Sequence, residues 1–247
     1  MAAVRFDHVT LGYEGHPAVH HLTGAVAEGS LTAVAGPNGS GKSTLLKGIA
    51  GVLKPISGAI AFEGVNPKDI AYLPQFSEIG RDFPASVCDL LSLGLWRRSG
   101  LFGAIGAKDQ HRIEHALEAV GLGGFAARAV NTLSGGQLQR ALFARVLLQD
   151  ARLILLDEPF SAIDEKTVAD LLDLIARWHG EQRTVIAVLH DMALVRESFP
   201  DTLLLAREPV AWGKTAEVLR PENLLQARRM HEAWDDQAPW CEKDQAA

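Results

Sequence analysis

Eight consecutive residues set the terms for this chain: Gly36-Pro37-Asn38-Gly39-Ser40-Gly41-Lys42-Ser43. They satisfy the pattern G-x-x-x-x-G-K-[ST]. The short apolar run Leu31–Ala35 precedes them, and Leu45–Leu53, which reads as a helix, follows. A tight loop between a buried strand and a helix needs residues that accept unusual dihedrals and put no side chain into the concavity, hence the glycines. Its backbone N–H groups then converge on an anion, and the positive end of the following helix points at the same place. Lys42 is placed to reach the β and γ phosphates of a nucleotide and the Ser43 hydroxyl to ligate Mg²⁺. Gly36, Asn38, Gly39, Ser40, Gly41 and Thr44 complete the candidate cradle. A plain glycine-rich turn is the alternative, and the flanking strand and helix argue against it.

The chain around this loop reads as α/β. Residues 4–13 and 18–35 are β-rich, interrupted by Gly12, Gly15, Gly24 and Gly29, and Ala59–Phe62 and Ile70–Leu73 are further short strands. Leu153–Leu156 and Val185–Leu189 are continuous apolar strands, separated by a helical pattern at Val168, Leu171, Leu172 and Ile175. That alternation predicts a mainly parallel sheet covered on both faces. Between about 81 and 148, Leu90, Leu91, Leu93, Leu95, Ile113, Ala116, Leu117 and Val120 recur at helical spacing, which predicts an inserted helical subdomain. The expectation is one domain over residues 1–231: a P-loop NTPase core with an antiparallel β part at its N-terminal end and the helical insert. A polar, acidic tail over 232–247 is expected to fray.

Composition narrows the partners. With 247 residues, 47% hydrophobic and 22% charged, the chain can bury a sizeable core. A net charge of −6 disfavours a nucleic-acid partner. Cys88 and Cys241 cannot build a disulfide framework and fit a reducing, cytoplasmic setting. Met1–Thr10 lacks the apolar core of a signal peptide, and no apolar run reaches 18 residues. A membrane role is therefore expected to come through a partner.

Two further motifs carry chemistry. Leu153-Ile154-Leu155-Leu156-Asp157-Glu158 is an apolar strand ending in two acids, at the strand end where α/β sheets bind ligands. Asp157 suits the coordination shell of Mg²⁺, directly or through water, and Glu158 suits a base that orients and deprotonates an attacking water. Two solvated acids before Pro159 are the alternative. In Leu133-Ser134-Gly135-Gly136-Gln137, Ser134 and the amides of Gly135 and Gly136 stand at the start of a helix over Gln137–Leu148 and make a second anion site. An N-cap explains Ser134; the two glycines and Gln137 are outside that explanation.

Leu133–Gln137 is the signature of ATP-binding-cassette (ABC) ATPases, and from about Val4 to Met230 the chain resembles that family. The resemblance implies two identical subunits paired head to tail, so that Ser134, Gly135, Gly136 and Gln137 of one complete the nucleotide site of the other. It places Tyr13 where the family stacks an aromatic ring on adenine, a core strand tyrosine being the alternative. Gln75, after Leu73-Pro74, matches the glutamine that touches Mg²⁺ or the attacking water and senses the membrane partner. Ser161-Ala162-Ile163-Asp164 resembles the dimer-facing loop, with Ile163 where the family usually has Leu, and brings Asp164 to the shared nucleotide site. His190, in Val188-Leu189-His190-Asp191, matches the switch histidine that bonds the γ-phosphate. His16, His20 and His21 form no metal spacing and read as surface residues.

The sequence between the motifs is similar to the zinc/manganese/iron branch of metal importers, in Asp82-Phe83-Pro84, Gly94-Leu95-Trp96, Leu142–Arg145, Asp157–Phe160, Leu203–Arg207 and Val210–Gly213. That resemblance implies ATP and Mg²⁺ as cofactors and hydrolysis coupled to import of a divalent metal ion, zinc first and manganese second. It also implies separate permease subunits, an extracytoplasmic solute-binding protein, and a peripheral place on the cytoplasmic face of the membrane. An ATPase of another importer class, or a non-transport cassette ATPase acting on ribosomes or DNA, is the alternative. Such non-transport proteins usually carry fused cassettes, a coiled coil or basic extensions. A small-molecule P-loop kinase has no use for Leu133–Gln137. Cys241 with His231, Asp235, Asp236 and Glu242 invites a metal-sensing reading, against the plainer one of a solvated tail.

Overall fold

The computed structural model describes residues 1–14, 16–76, 84–96, 106–161 and 163–232. Asp82 and Phe83, the expected start of the helical insert at 81, Ala162, and the tail with Asp235, Asp236, Cys241 and Glu242 lie outside the described residues, as does the side chain of His231.

The elements run β1 (Ala2–Tyr13), β2 (His16–Ala27), β3 (Leu31–Ala35), α1 (Lys42–Ile49), β4 (Ser57–Phe62) and β5 (Ile70–Leu73). Then come α2 (Val87–Ser92), α3 (Ala107–Ala119), α4 (Gly135–Gln149), β6 (Leu153–Asp157), α5 (Glu165–Gly180) and β7 (Thr184–Val188). The chain continues through α6 (Met192–Ser198), β8 (Asp201–Ala206), β9 (Glu208–Lys214), α7 (Thr215–Val218) and α8 (Pro221–Glu232). β2-β1-β4 form a three-stranded antiparallel sheet, and β5-β6-β7-β3-β8-β9 a six-stranded one. In the larger sheet every pairing is parallel except that of the edge strand β9.

β3, β6 and β7 are buried at every position, as strands covered on both faces must be. Their period of two divides the core. Ile154, Leu156, Val185 and Ala187 face α4 and α5, while Leu153, Leu155, Ile186 and Val188 face α1 and the antiparallel sheet. On the first face Phe143 of α4 and Trp178 of α5 lie parallel with centroids 5.9 Å apart, both fully buried. Truncating either ring to Ala is worth about 3–5 kcal/mol. The insert is helical among the described residues, with α2 and α3 packed on α4. No helix among the described residues is long and apolar enough to cross a membrane.

Two local expectations are corrected. The helix predicted over Leu45–Leu53 stops at Ile49, because Gly51 adopts φ +72° and turns the chain back. Gly51 N donates to Gly48 O at 3.1 Å and Val52 N to Lys47 O at 2.9 Å, the paired bonds of a Schellman cap. His20, read as a surface residue, is buried. Between the pairs Val9↔Leu22 and Leu11↔Val19, β2 carries one residue more than β1, and His21 takes φ +47°. That bulge breaks the inward–outward alternation and turns His20 inside, where its N–H donates to Arg207 O at 2.8 Å. Burial pushes the His20 pKa down despite nearby Glu208. His16 is exposed, as expected, and His21 half-buried.

Candidate nucleotide site

β5, β6, β7 and β3 are adjacent and parallel, so their carboxyl ends open on one edge of the sheet. Gln75 follows β5, Asp157 ends β6 with Glu158 next, His190 follows β7, and the glycine loop follows β3. A crevice at this edge is where an α/β sheet collects ligands. Here a cleft of about 640 Å³ is lined by Ala18, Asn38, Gly39, Gly41, Lys42, Ser43, Thr44, Gln75, Glu158 and His190. Residues far apart in sequence thus meet in one place.

Two glycines of the loop are sterically required. Gly36 (φ +151°) passes so close to β8 that a Cβ would stand 1.9 Å from Leu205 O. At Gly41 (φ +91°) a Cβ would meet Ala18 O at 2.4 Å. The loop curls around Lys42, whose Nζ donates to Gly36 O at 3.0 Å and to Pro37 O at 2.6 Å. Burial pushes the Lys42 ammonium down to about 8, with the Glu158 and Asp157 carboxylates acting in the other direction. Ser40 is fully buried beneath the loop, and its backbone carbonyl accepts from Arg207 N at 3.0 Å, which ties the loop from behind to the residue that follows β8.

Beyond Lys42, Ser43 Oγ donates to Asp157 Oδ1 at 2.9 Å, and Tyr72 Oη reaches Asp157 Oδ2 at 3.5 Å. A hydroxyl and a buried carboxylate together are hard oxygen donors of the kind Mg²⁺ takes, so these residues fit that ion.

Glu158 is the most heavily held side chain of the site. His190 Nε2 lies 2.5 Å from its Oε1, while Gln75 Nε2 and Ser161 Oγ donate to Oε2 at 2.9 and 3.1 Å. Burial pushes its carboxyl up, but the hydrogen bonds from His190, Ser161 and Gln75 prevail and hold it below the usual carboxylate range. Its backbone sits at φ +48°, a left-handed conformation that costs about 1–2 kcal/mol for a non-glycine residue. Ser161 N closes a turn onto Glu158 O at 3.2 Å, with Pro159 at the turn position that favours proline.

Sequence similarity decides what this cleft belongs to. The sequence model of the ABC transporter family matches residues 19–161, from β2 through the glycine loop to the turn after Glu158. The chain belongs to the ABC transporter ATPases. A manganese transport system ATP-binding protein, MntA of Synechocystis, is 37% identical over 90% of this chain and 88% of its own length. A zinc transport system ATP-binding protein, TroB of Treponema pallidum, is 37% identical over 91% and 86%. A solved structure described as an inward-facing ABC transporter of metal-chelate type superposes with a TM-score of 0.82. It is 31% identical, and the match covers 93% of this chain and 90% of that one. An ABC ATPase binds ATP and works with membrane permease subunits.

The remaining predicted residues of this ATPase stand apart from the cleft. Ser134, Gly135, Gly136 and Gln137 do not line it; they form the start of α4. Gln137 is part of the N-cap, contrary to the expectation that the cap leaves it unexplained. Ser134 Oγ accepts from Gln137 N at 3.2 Å, and Gln137 Oε1 accepts from Ser134 N at 3.0 Å, a reciprocal capping box. Asp164 caps α5, accepting from Thr167 N and Oγ1 at 2.9 Å each, and those bonds hold its carboxyl below the usual range. Tyr13 ends β1 and is 48% exposed, which removes the core-tyrosine alternative. Sequence reasoning missed Tyr72 as a partner of Asp157, and it named Ser161 only within the dimer-facing loop and not as a donor to Glu158. Only Ser161 left a signal, as a hydroxyl three residues beyond Glu158 in a proline turn.

Proposed function

We propose that this chain is the ATP-hydrolysing motor of an importer for a divalent metal ion, zinc first and manganese second. The observation that carries the hydrolytic part is the Glu158 carboxylate, kept ionised and aimed into the cleft that also holds Lys42. Lys42 leaves its loop carbonyls for the β and γ phosphates of ATP, and the amides of residues 38–44 surround them. Ser43 and Asp157 would hold Mg²⁺, which supplies charge neutralisation at the β and γ oxygens when bound. Water attacks the γ-phosphorus and gives its proton to Glu158, and the bond from that phosphorus to the bridging oxygen breaks to leave ADP and phosphate. His190 bonds the γ-phosphate, and Gln75 orients the water. Tyr13 offers its ring to adenine.

Ser134, Gly135 and Gly136 lie at a helix start that no residue of their own cleft uses, and this supports pairing of two copies. In that pairing Ser134, Gln137 and Asp164 of one chain close on the nucleotide of the other. The permease then holds the pair at the cytoplasmic face of the membrane and receives the metal from an extracytoplasmic solute-binding protein. The metal assignment rests on relatives named for manganese and for zinc transport. Uptake of zinc, manganese and iron in cells lacking this chain tests it. Loss of zinc uptake, restored by the native chain and not by Glu158→Gln, is the expected result. Normal uptake of all three ions overturns the cargo assignment and leaves the ATPase intact.

A further inference from the structure

α4 does more than begin at Ser134. Two consecutive residues in its second turn reach out to neighbouring segments, Gln139 to the turn after Glu158 and Arg140 to α5 and the end of α3. Gln139 is 2% exposed, and its Nε2 donates to Pro159 O at 2.7 Å. The orientation of the amide is fixed by chemistry, since its oxygen turned toward the Pro159 carbonyl would be repelled. That carbonyl belongs to the turn in which Glu158 sits at φ +48° and Ser161 bonds both the backbone and the carboxylate of Glu158. Arg140 grips the neighbouring element. One nitrogen donates to Val120 O at 3.0 Å; the other donates to Thr167 Oγ1 at 3.1 Å and Asp170 Oδ2 at 2.7 Å. Thr167 in turn holds Asp164, and a Cβ on Gly136 would lie 3.5 Å from Asp164 Oδ2.

We infer that Gln139 and Arg140 are positioning residues for hydrolysis. Gln139 holds the strained turn that aims Glu158, and Arg140 locks α5 and its Asp164 cap to the same helix. α4 is a rigid rod over these few residues, so the element that carries Ser134 also sets the geometry of the base in its own chain. A left-handed glutamate relaxes unless its turn is held from outside, and among the described residues Gln139 supplies the side-chain bond to the Pro159 carbonyl. Neither residue touches the cleft, so nucleotide affinity is not what they control.

The inference rests on Glu158 acting as the base, and a double-mutant cycle separates the two. Gln139→Met keeps the length and removes the donor. It is expected to lower kcat about 10-fold with the KM for ATP within about twofold, because a base displaced by a fraction of an ångström loses rate and not binding. In a Glu158→Gln background the same change is expected to have no further effect, since the group it positions is already gone. Arg140→Lys keeps the charge, but its single nitrogen cannot span the Val120 carbonyl and the Thr167–Asp170 pair that two guanidinium nitrogens hold, and it should lower kcat ~3-fold or more with the same loss of effect in that background. It lies at a partly exposed position, so it decides the matter should Gln139→Met fail to fold. Unchanged kcat in both variants, or a fall that persists in full beside Glu158→Gln, overturns the positioning role. Near-native turnover of Glu158→Gln alone overturns the base assignment and this inference with it.

Discussion

At the residue scale the site is a contest between burial and hydrogen bonding, and the two key charges resolve it differently. Burial pushes the Glu158 carboxyl up; three donors converge on it and win, holding it below the usual carboxylate range. Among the described residues Lys42 has only loop carbonyls as hydrogen-bond partners, and burial lowers it to about 8 even beside two carboxylates. A lysine so placed makes no hydrogen bond to an anion among the described residues, and a triphosphate supplies one. The two positions should therefore fail in different ways. Glu158→Gln keeps the shape but cannot accept the proton, so ATP binding is expected within about twofold of native while turnover falls at least about 10²-fold. Lys42→Ala removes a charged hydrogen bond worth about 1.5–3 kcal/mol, which is a tenfold to hundredfold weaker nucleotide affinity. Isothermal titration beside steady-state ATPase assays distinguishes them. Normal turnover in the first or normal affinity in the second would remove that residue from its role.

At the element scale the most informative helix start is that of α4. Its capping box shows that Ser134 has a structural use inside one chain, and a role toward a second chain must be tested apart from it. Ser134→Ala loses the cap, about 1 kcal/mol, or roughly 3 °C in melting temperature for a chain of this size. Ser134→Asp keeps the cap, since aspartate is as good an N-cap as serine and suits the positive helix end. It also sets a negative charge where a phosphate of the partner's nucleotide would approach. The expected pattern is native stability with lost turnover for Ser134→Asp, read by thermal melts and ATPase rates together. Full turnover in that variant would leave the start of α4 as a cap alone.

The same helix shows where sequence reading ends. The strand, loop and helix around Gly36–Ser43 were legible because sterics leave few other residues possible there, and Asp157 and Glu158 because an apolar run ending in acids is locally conspicuous. Gln139 and Arg140 were not legible. On a helix they are ordinary polar residues, and their meaning lies in partners on other elements, Pro159 and Asp170, that only the packing of α4 brings near. His20 was misread for a related reason. A β-bulge changes which face a residue takes, and no local pattern marks one.

At the scale of the whole molecule, the proposed function gives one chain two half-sites: the cleft with Lys42 and Glu158, and the start of α4 with Ser134, which does not line it. A two-fold pair is the simplest arrangement that uses both, because the same two patches then meet twice. It makes a demand that a self-sufficient chain does not. Lys42→Ala is defective only in its cleft and Ser134→Asp only at its helix start, so each pure protein has no intact composite site. In a mixed pair, the cleft of the Ser134→Asp chain faces the intact Ser134 of the Lys42→Ala chain, and one of the two sites is whole. Equal mixing makes about half the pairs mixed, so the mixture should recover up to roughly a quarter of native turnover. The recovered rate should also rise more steeply than linearly with total protein while pairs are forming. A mixture no more active than the sum of its parts would mean that each chain hydrolyses ATP alone, and that the signature at Ser134 serves only the fold of its own helix.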